Sequence, residues 1–284
     1  MTIEPTTVEP TRQELLDEVL ARYANSPARR LKQITEAAIR HLHAFVAEVG
    51  LSHDEWMAGI RFLTDTGKIC DDVRQEFILL SDTLGVSTLV EMITYDADAG
   101  ATENTVLGPF YVPGSPRRQR GASMLVDDDP GEPVVIRGRV TGIDGSPLAG
   151  ATVDAWQNAT NGFYACQQPG VQHPENLRGI YTTDAEGTYE LRTIRPVAYP
   201  IPDDGPVGSL LKAQGRNWMR PAHVHLMVSA PGHKTLITHV FDAESAHLDD
   251  DAVFGVRASL VRRFEPDEHG ELATMFDVTL TAAR

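Results

Sequence analysis

The sequence predicts a mixed α and β protein, with a helical N-terminal domain followed by a C-terminal antiparallel β-sandwich. Three observations carry this. Apolar residues recur at the helical period through the first hundred residues. After the Pro/Gly-rich stretch "GPFYVPGSP" at 108–116 the pattern switches to alternating apolar and polar residues. The short strands read from it are separated by turn residues, as in a sandwich. The two domains are drawn as 1–105 and 106–284.

Residues 1 to about 11 are polar and Pro-containing and read as a loose arm. A first helix follows, with Leu15, Leu16, Val19, Leu20 and Tyr23 on its periodic positions. A second carries Leu31, Ile34, Ala38, Ile39, Leu42, Phe45, Val46 and Val49 and stops at Gly50. Ser52 and Glu55 form a Ser-x-x-Glu capping box that opens a third. "DDVRQEFILLSDTLGVSTLVEMI" reads as one or two more helices, with Gly85 as a break. In the second half, Asp144-Gly145 and Glu186-Gly187 each punctuate a strand–turn–strand unit. Pro231-Gly232 separates two further strands, and "GELATMFDVTLTA" supplies the last.

Of the 284 residues, 42% are hydrophobic, enough for a sizeable core. The net charge of -15 argues against nucleic acid or an anionic membrane as the main partner. A small anionic substrate, held by one local positive group, is compatible with it. The two cysteines, Cys70 and Cys166, form no CxxC pattern or disulfide framework. No secretory signal or membrane-length apolar run is read, so a cytoplasmic setting is expected.

The chemistry-bearing stretch is "RPAHVH" at 220–225. On a strand, residues two apart point the same way, so His223 and His225 would share one face. Spacing alone fits a metal pair or two histidines lining a polar cleft. His41 and His43 have the same spacing in a helix, where they diverge, and read as ordinary helix residues. Tyr164 lies in a turn-like segment after a strand, and Tyr199 in a loop stiffened by prolines at 196, 200, 202 and 206. Each tyrosine alone reads as a packing aromatic.

Four segments together change this: "TENTVLGPFYVPGSP", "GATVDAWQNATNGFYACQQPG", "RTIRPVAYPIPDDGP" and "RPAHVHLMVSAPGHKTLITHVFDAE". In this order the chain resembles the intradiol ring-cleaving dioxygenases, with the likeness running from about residue 20 onward. The resemblance implies a non-haem Fe(III), one per chain, held by Tyr164, Tyr199, His223 and His225. It implies that Tyr199 leaves the metal when substrate binds and takes a substrate proton, while Tyr164 stays. It gives Arg220 the role of stabilising negative charge on the reacting ring. It also implies a homodimer joined through the helices, with a phospholipid in an apolar tunnel there. The ligand set makes chemical sense, because phenolates are hard anionic donors that favour ferric iron.

The same resemblance assigns a substrate wall to Leu79, Asp82, Val106, Leu107, Gly108, Pro109, Phe110, Ile201, Pro202 and Val253, with His239 beside it. Most of these are apolar and suit a flat ring. Asp82 can accept a hydrogen bond from an extra hydroxyl. "FILLSDTLGVSTLV" and "LITHVFDAESAHLDDDAVFGV" look most like the branch that cleaves hydroxyquinol, benzene-1,2,4-triol, with O2 to 3-hydroxy-cis,cis-muconate. Catechol or a chlorocatechol is the alternative substrate. Two other classes stay open: a transthyretin-like binding module without chemistry, and a zinc or manganese hydrolase built on the HxH pair.

Overall fold

The computed structural model describes residues 11–71, 74–95 and 100–283. The expected loose arm at the N-terminus falls outside these, apart from Thr11. The chain forms two compact units, Met1–Leu63 and Thr64–Arg284.

The first unit is helical. Helix α1 (Arg12–Ala21) begins at a capping box, in which the Thr11 hydroxyl accepts from Glu14 N–H and the Glu14 carboxylate accepts from Thr11 N–H. Helix α2 (Arg29–Val49) ends at Gly50, which takes the left-handed conformation at φ 61°. Helix α3 (His53–Lys68) opens on the predicted Ser52–Glu55 box, with Ser52 N–H 2.9 Å from the Glu55 carboxylate. Leu31, Ile34, Leu42, Phe45 and Val49 leave an exposed apolar stripe along α2. A cavity of about 670 Å³ is lined by Leu15, Leu16, Leu42, Val46, Ala47 and Leu51 among others.

In the second unit, the break predicted at Gly85 separates α4 (Glu76–Thr83) from α5 (Val86–Tyr95). The strands follow: β1 (Pro133–Gly142), β2 (Thr152–Trp156), β3 (Arg178–Thr182), β4 (Thr188–Ile194) and β5 (Tyr199–Pro200). After α6 (Pro206–Ala213) come β6 (Met219–Arg220), β7 (His223–Ser229), β8 (Leu236–Asp242) and β9 (Val261–Arg262). The last are β10 (Glu265–Pro266), β11 (Leu272–Met275) and β12 (Val278–Leu280).

One sheet has the order β10-β11-β1-β12 with β4 paired to β1, and the other β3-β2-β7-β8-β9. The sandwich is largely antiparallel, but β1 pairs with β11 and β12, and β8 with β9, in parallel. The two strand–turn–strand units do not pair their own strands. At Asp144-Gly145 and again at Glu186-Gly187 the chain passes from one sheet to the other. Strands β11 and β12 are one line along β1 with an interruption at Phe276-Asp277. The partner residue there has to be Gly138, because a Cβ on it would stand 2.0 Å from the Phe276 carbonyl oxygen.

Alternation along β7 divides its side chains between two environments. Val224, Leu226 and Val228 enter the core between the sheets, against Val134, Ile136, Val153, Leu191 and Val240. His223 and His225 therefore face the other side of their sheet, and that side carries the candidate site.

Candidate metal centre

The site is built on adjacent registers of one sheet. His223 lies opposite Phe241 and His225 opposite His239 across β7–β8, while Trp156 lies opposite His225 across β2–β7. The Trp156 ring stacks on His225 at 4.6 Å and 12°, fixing one face of that imidazole. Gly108, at φ 75°, lets the incoming loop pass close on another side, where a Cβ would lie 3.5 Å from His225 Cε1.

The tyrosines arrive on loops. Tyr164 stands at the start of a short 3-10 turn, its N–H bonded to the Gln167 side chain at 2.9 Å. Phe110 stacks on its ring at 4.9 Å. Tyr199 belongs to the two-residue strand β5, paired with β6 so that Tyr199 lies opposite Arg220. Its Pro-rich loop is tied down further along. Arg74 donates to both Asp204 carboxylate oxygens at 2.9 and 2.7 Å, and the buried Glu76 carboxylate accepts from Val207 N–H at the start of α6.

These elements bring four donor atoms into one buried cluster. The Tyr164 hydroxyl lies 3.1 Å from Tyr199 Oη and 3.1 Å from His225 Nε2. His225 Nε2 is in turn 3.1 Å from His223 Nε2. His223 Nδ1 lies 2.6 Å from the Pro221 carbonyl, which can only accept, so His223 turns its Nε2 lone pair into the cluster. Arg220 closes the group with Nη1 3.4 Å from Tyr199 Oη and 3.2 Å from His223 Nε2.

The titration behaviour suits ligation. Burial, then the neighbouring positive charges, holds His223, His225 and His239 well below the usual histidine range, so their imidazoles are neutral. Burial and the adjacent Tyr199 push the Tyr164 phenol well up. A cation among these atoms would reverse that and let phenolate form. His223 Nε2 is unprotonated and faces His225 Nε2 at 3.1 Å, while His225 Nδ1 has no hydrogen-bond partner. A cation between the two Nε2 atoms would accept a lone pair from each, with the buried Tyr164 and Tyr199 oxygens beside it. The residues present therefore fit a metal held by two phenol oxygens and two imidazole nitrogens.

His239 is fully buried and within reach of a metal held by His223 and His225, since their nitrogens lie within 4.8 Å of one another. Its Nε2 donates to the Val106 carbonyl at 3.0 Å, which leaves the lone pair on Nδ1, buried and without a hydrogen-bond partner, and its ring packs against both other histidines. Through Nε2 it anchors the segment that starts at Val106.

Known proteins resemble this chain over nearly its whole length. The profile described as "Dioxygenase" matches residues 106–282, and that described as "Catechol dioxygenase N terminus" matches residues 28–102. The 6-chlorohydroxyquinol 1,2-dioxygenase of Cupriavidus pinatubonensis is 48% identical over 269 residues, 95% of this chain and 97% of that protein. The chain belongs to the intradiol ring-cleavage dioxygenase family. The hydroxyquinol 1,2-dioxygenase of a Rhizobium species is 47% identical to this dioxygenase, over 90% of this chain and 86% of that one. The solved hydroxyquinol 1,2-dioxygenase of Pseudomonas putida superimposes with a TM-score of 0.88 at 44% identity, covering 96% of this chain and 99% of that one.

The residues expected to form a substrate wall gather in two groups. Leu79, Val106, Ile201 and Val253 pack in one buried cluster with Val207, Leu211 and Ala252. Leu107 and Phe110 pack instead against Trp156, Tyr164 and Tyr199. Pro109 and Pro202 are half-buried beside them. Asp82, on α4, is 2% exposed, and burial pushes its carboxyl up to about 6 against the opposing pull of Ser87 and Arg220.

Two further residues belong to the site without having been singled out in the sequence. Trp156 closes "GATVDAW", where an apolar strand residue gives no sign of stacking on the His225 imidazole. Asp251 is the last of three consecutive aspartates, and only the fold reveals that this one is buried and paired with Arg220.

Proposed function

We propose that this dioxygenase holds one ferric ion per chain between Tyr164, Tyr199, His223 and His225 and cleaves hydroxyquinol between its vicinal hydroxylated carbons. Both atoms of O2 enter the product, 3-hydroxy-cis,cis-muconate, the enol form of maleylacetate. The observation that carries this reading is the buried contact of two phenol oxygens with two imidazole nitrogens. Zinc sites draw on cysteine, histidine and carboxylate, so the tyrosine pair favours iron in its ferric state. When bound, the ion supplies Lewis acidity that withdraws electron density from the coordinated diol and makes its ring reactive towards O2.

The protein's own residues do the rest. Tyr199 accepts a proton from a substrate hydroxyl at its Oη. The Arg220 guanidinium, always charged and only 3% exposed, stabilises negative charge on the reacting ring in a water-poor setting. Leu79, Val106, Ile201 and Val253 clasp a flat ring and exclude water, with Leu107, Gly108, Pro109, Phe110 and Pro202 continuing the wall. His239 acts on this wall through the Val106 carbonyl. Asp82 accepts a hydrogen bond from the third hydroxyl, which is why hydroxyquinol is favoured over catechol or a chlorocatechol. The relatives named for hydroxyquinol cleavage support the same choice.

Oxygen uptake with hydroxyquinol, catechol and 4-chlorocatechol, corrected for spontaneous oxidation, tests the substrate. The expected order places hydroxyquinol first in kcat/KM. A higher value for catechol overturns the substrate assignment and leaves the family untouched.

The exposed apolar stripe on α2 has the character of a joining surface, and we assign it to a homodimer contact through the helices. The apolar cavity beside α1 and α2 suits a phospholipid acyl chain. The free cysteines Cys70 and Cys166 are in keeping with work in the cytoplasm.

A further inference from the structure

Arg220 has a defined division of labour among its nitrogens. Nε donates to Asp251 Oδ1 at 3.2 Å, and Nη1 faces Tyr199 and His223. Nη2 is buried and has no partner. Both members of the Arg220–Asp251 pair are almost entirely out of water, so the carboxylate fixes the guanidinium plane with little competition from solvent.

Asp251 does a second thing. Its Oδ2 accepts from Gly255 N–H at 2.9 Å and its Oδ1 from Val253 N–H at 3.3 Å. These bonds close the loop that carries the wall residue Val253, and they hold Phe254 in a left-handed conformation, φ 58°, that non-glycine residues seldom adopt. The loop brings Gly255 against Arg220, so that an added Cβ would stand 3.1 Å from Nη2 and 3.2 Å from Asp251 Oδ2. Thr105 and Arg216 tie the same loop to the rest of the site. Thr105 Oγ1 donates to the Gly255 carbonyl, and Arg216 donates to the carbonyls of Thr83 and Ala252.

We propose that Asp251 is the positioning residue of this dioxygenase, holding Arg220 edge-on so that Nη2 stays free for a substrate oxygen while the same carboxylate sets Val253 in the wall. This rests on the dioxygenase reading and on Arg220 as the charge stabiliser. It couples the charge-stabilising group to the substrate wall through one side chain.

The test compares the iron-loaded wild type with Asp251→Asn, which keeps the shape and removes the charge. Iron content and the visible tyrosinate absorption should be retained, since Asp251 touches no ligand. The expected change is a fall in kcat of about 10- to 100-fold, the range seen when a charge-stabilising donor is misplaced. In an Arg220→Gln background the same substitution should lower kcat by several-fold less than it does in wild type, because the part that passes through Arg220 is already lost and only the part through Val253 remains. Anaerobic titration with 4-nitrocatechol, followed by the visible spectrum, should give weaker binding for Asp251→Asn than for wild type.

Wild-type kcat and wild-type 4-nitrocatechol binding in Asp251→Asn would overturn the proposal. So would a full, multiplicative loss in the Arg220→Gln background. If Asp251→Asn does not accumulate as folded protein, Gly255→Ala asks the question from the other side. Its methyl crowds Nη2, and kcat should fall at least about fivefold with iron retained. An unchanged kcat overturns the proposal. A wild type that neither binds iron nor consumes O2 with any diol would remove the underlying dioxygenase reading instead, so the two failures are distinguishable.

Discussion

Tyr199 and Arg220 lie opposite each other on the two-residue ladder of β5 and β6, with Arg220 Nη1 3.4 Å from Tyr199 Oη. The phenol proposed as proton acceptor and a permanent positive charge are thus held by backbone pairing beside the histidine pair. The ladder extends through Ile201 N–H, which donates to the Trp218 carbonyl at 2.8 Å, so Ile201, proposed for the substrate wall, is fixed by the same ribbon.

Tyr199→Phe removes the oxygen and leaves the ring, which meets Tyr164 edge-on at 5.5 Å. We expect kcat to fall about 100-fold or more, as for loss of a general base. Iron should remain bound through the other three residues, with the visible colour carried by Tyr164. Steady-state oxygen uptake together with the absorption spectrum checks this, and an undiminished kcat would remove Tyr199 from proton transfer.

Asp82 offers a prediction in pH. Its carboxyl is pushed up to about 6 by burial, against about 3.9 in an unfolded chain. The folded state therefore holds the proton more tightly. Its contribution to stability is fully present below pH ~4 and is lost as pH rises to about 6. Asp82→Asn abolishes that loss, so its stability relative to wild type should rise between pH 4 and pH 7 by about 2 kcal/mol. Urea unfolding at the two pH values measures it. An equal difference at both would mean that Asp82 does not titrate as described.

The same substitution bears on specificity. An amide in place of the carboxylate should lower kcat/KM for hydroxyquinol by about 10-fold or more while changing that for catechol little, since only the triol offers the extra hydroxyl. Equal losses on both substrates would assign Asp82 to the fold alone.

Gly138→Ala should cost more than about 3 kcal/mol, because the new Cβ meets backbone and the β1–β12 register must shift to relieve it. Thermal unfolding measures the loss. A Tm within a degree or two of wild type would contradict the close approach of the Phe276 carbonyl, from which an added Cβ would stand only 2.0 Å.

Much of this was legible in the sequence, and the reasons differ from residue to residue. The caps at Ser52 and Gly50 and the break at Gly85 are local, so the sequence states them directly. His223 and His225 were readable as a same-face pair because strand alternation is local too. Tyr164 and Tyr199 carry no such signal and stand out only through the family resemblance, for their meeting depends on loops brought together by the fold. Strand pairing is equally non-local. Turn residues at Asp144-Gly145 and Glu186-Gly187 mark where the chain reverses, but not that it changes sheets. Asp251 was hidden among three aspartates, since burial and not residue type distinguishes it.

The most direct test is metal analysis with visible spectroscopy on purified wild type and Tyr164→Phe. We expect about one iron per wild-type chain and a red-brown tyrosinate-to-Fe(III) band, with that colour lost in Tyr164→Phe. A colourless, iron-free wild type that stays so after iron reconstitution would contradict this.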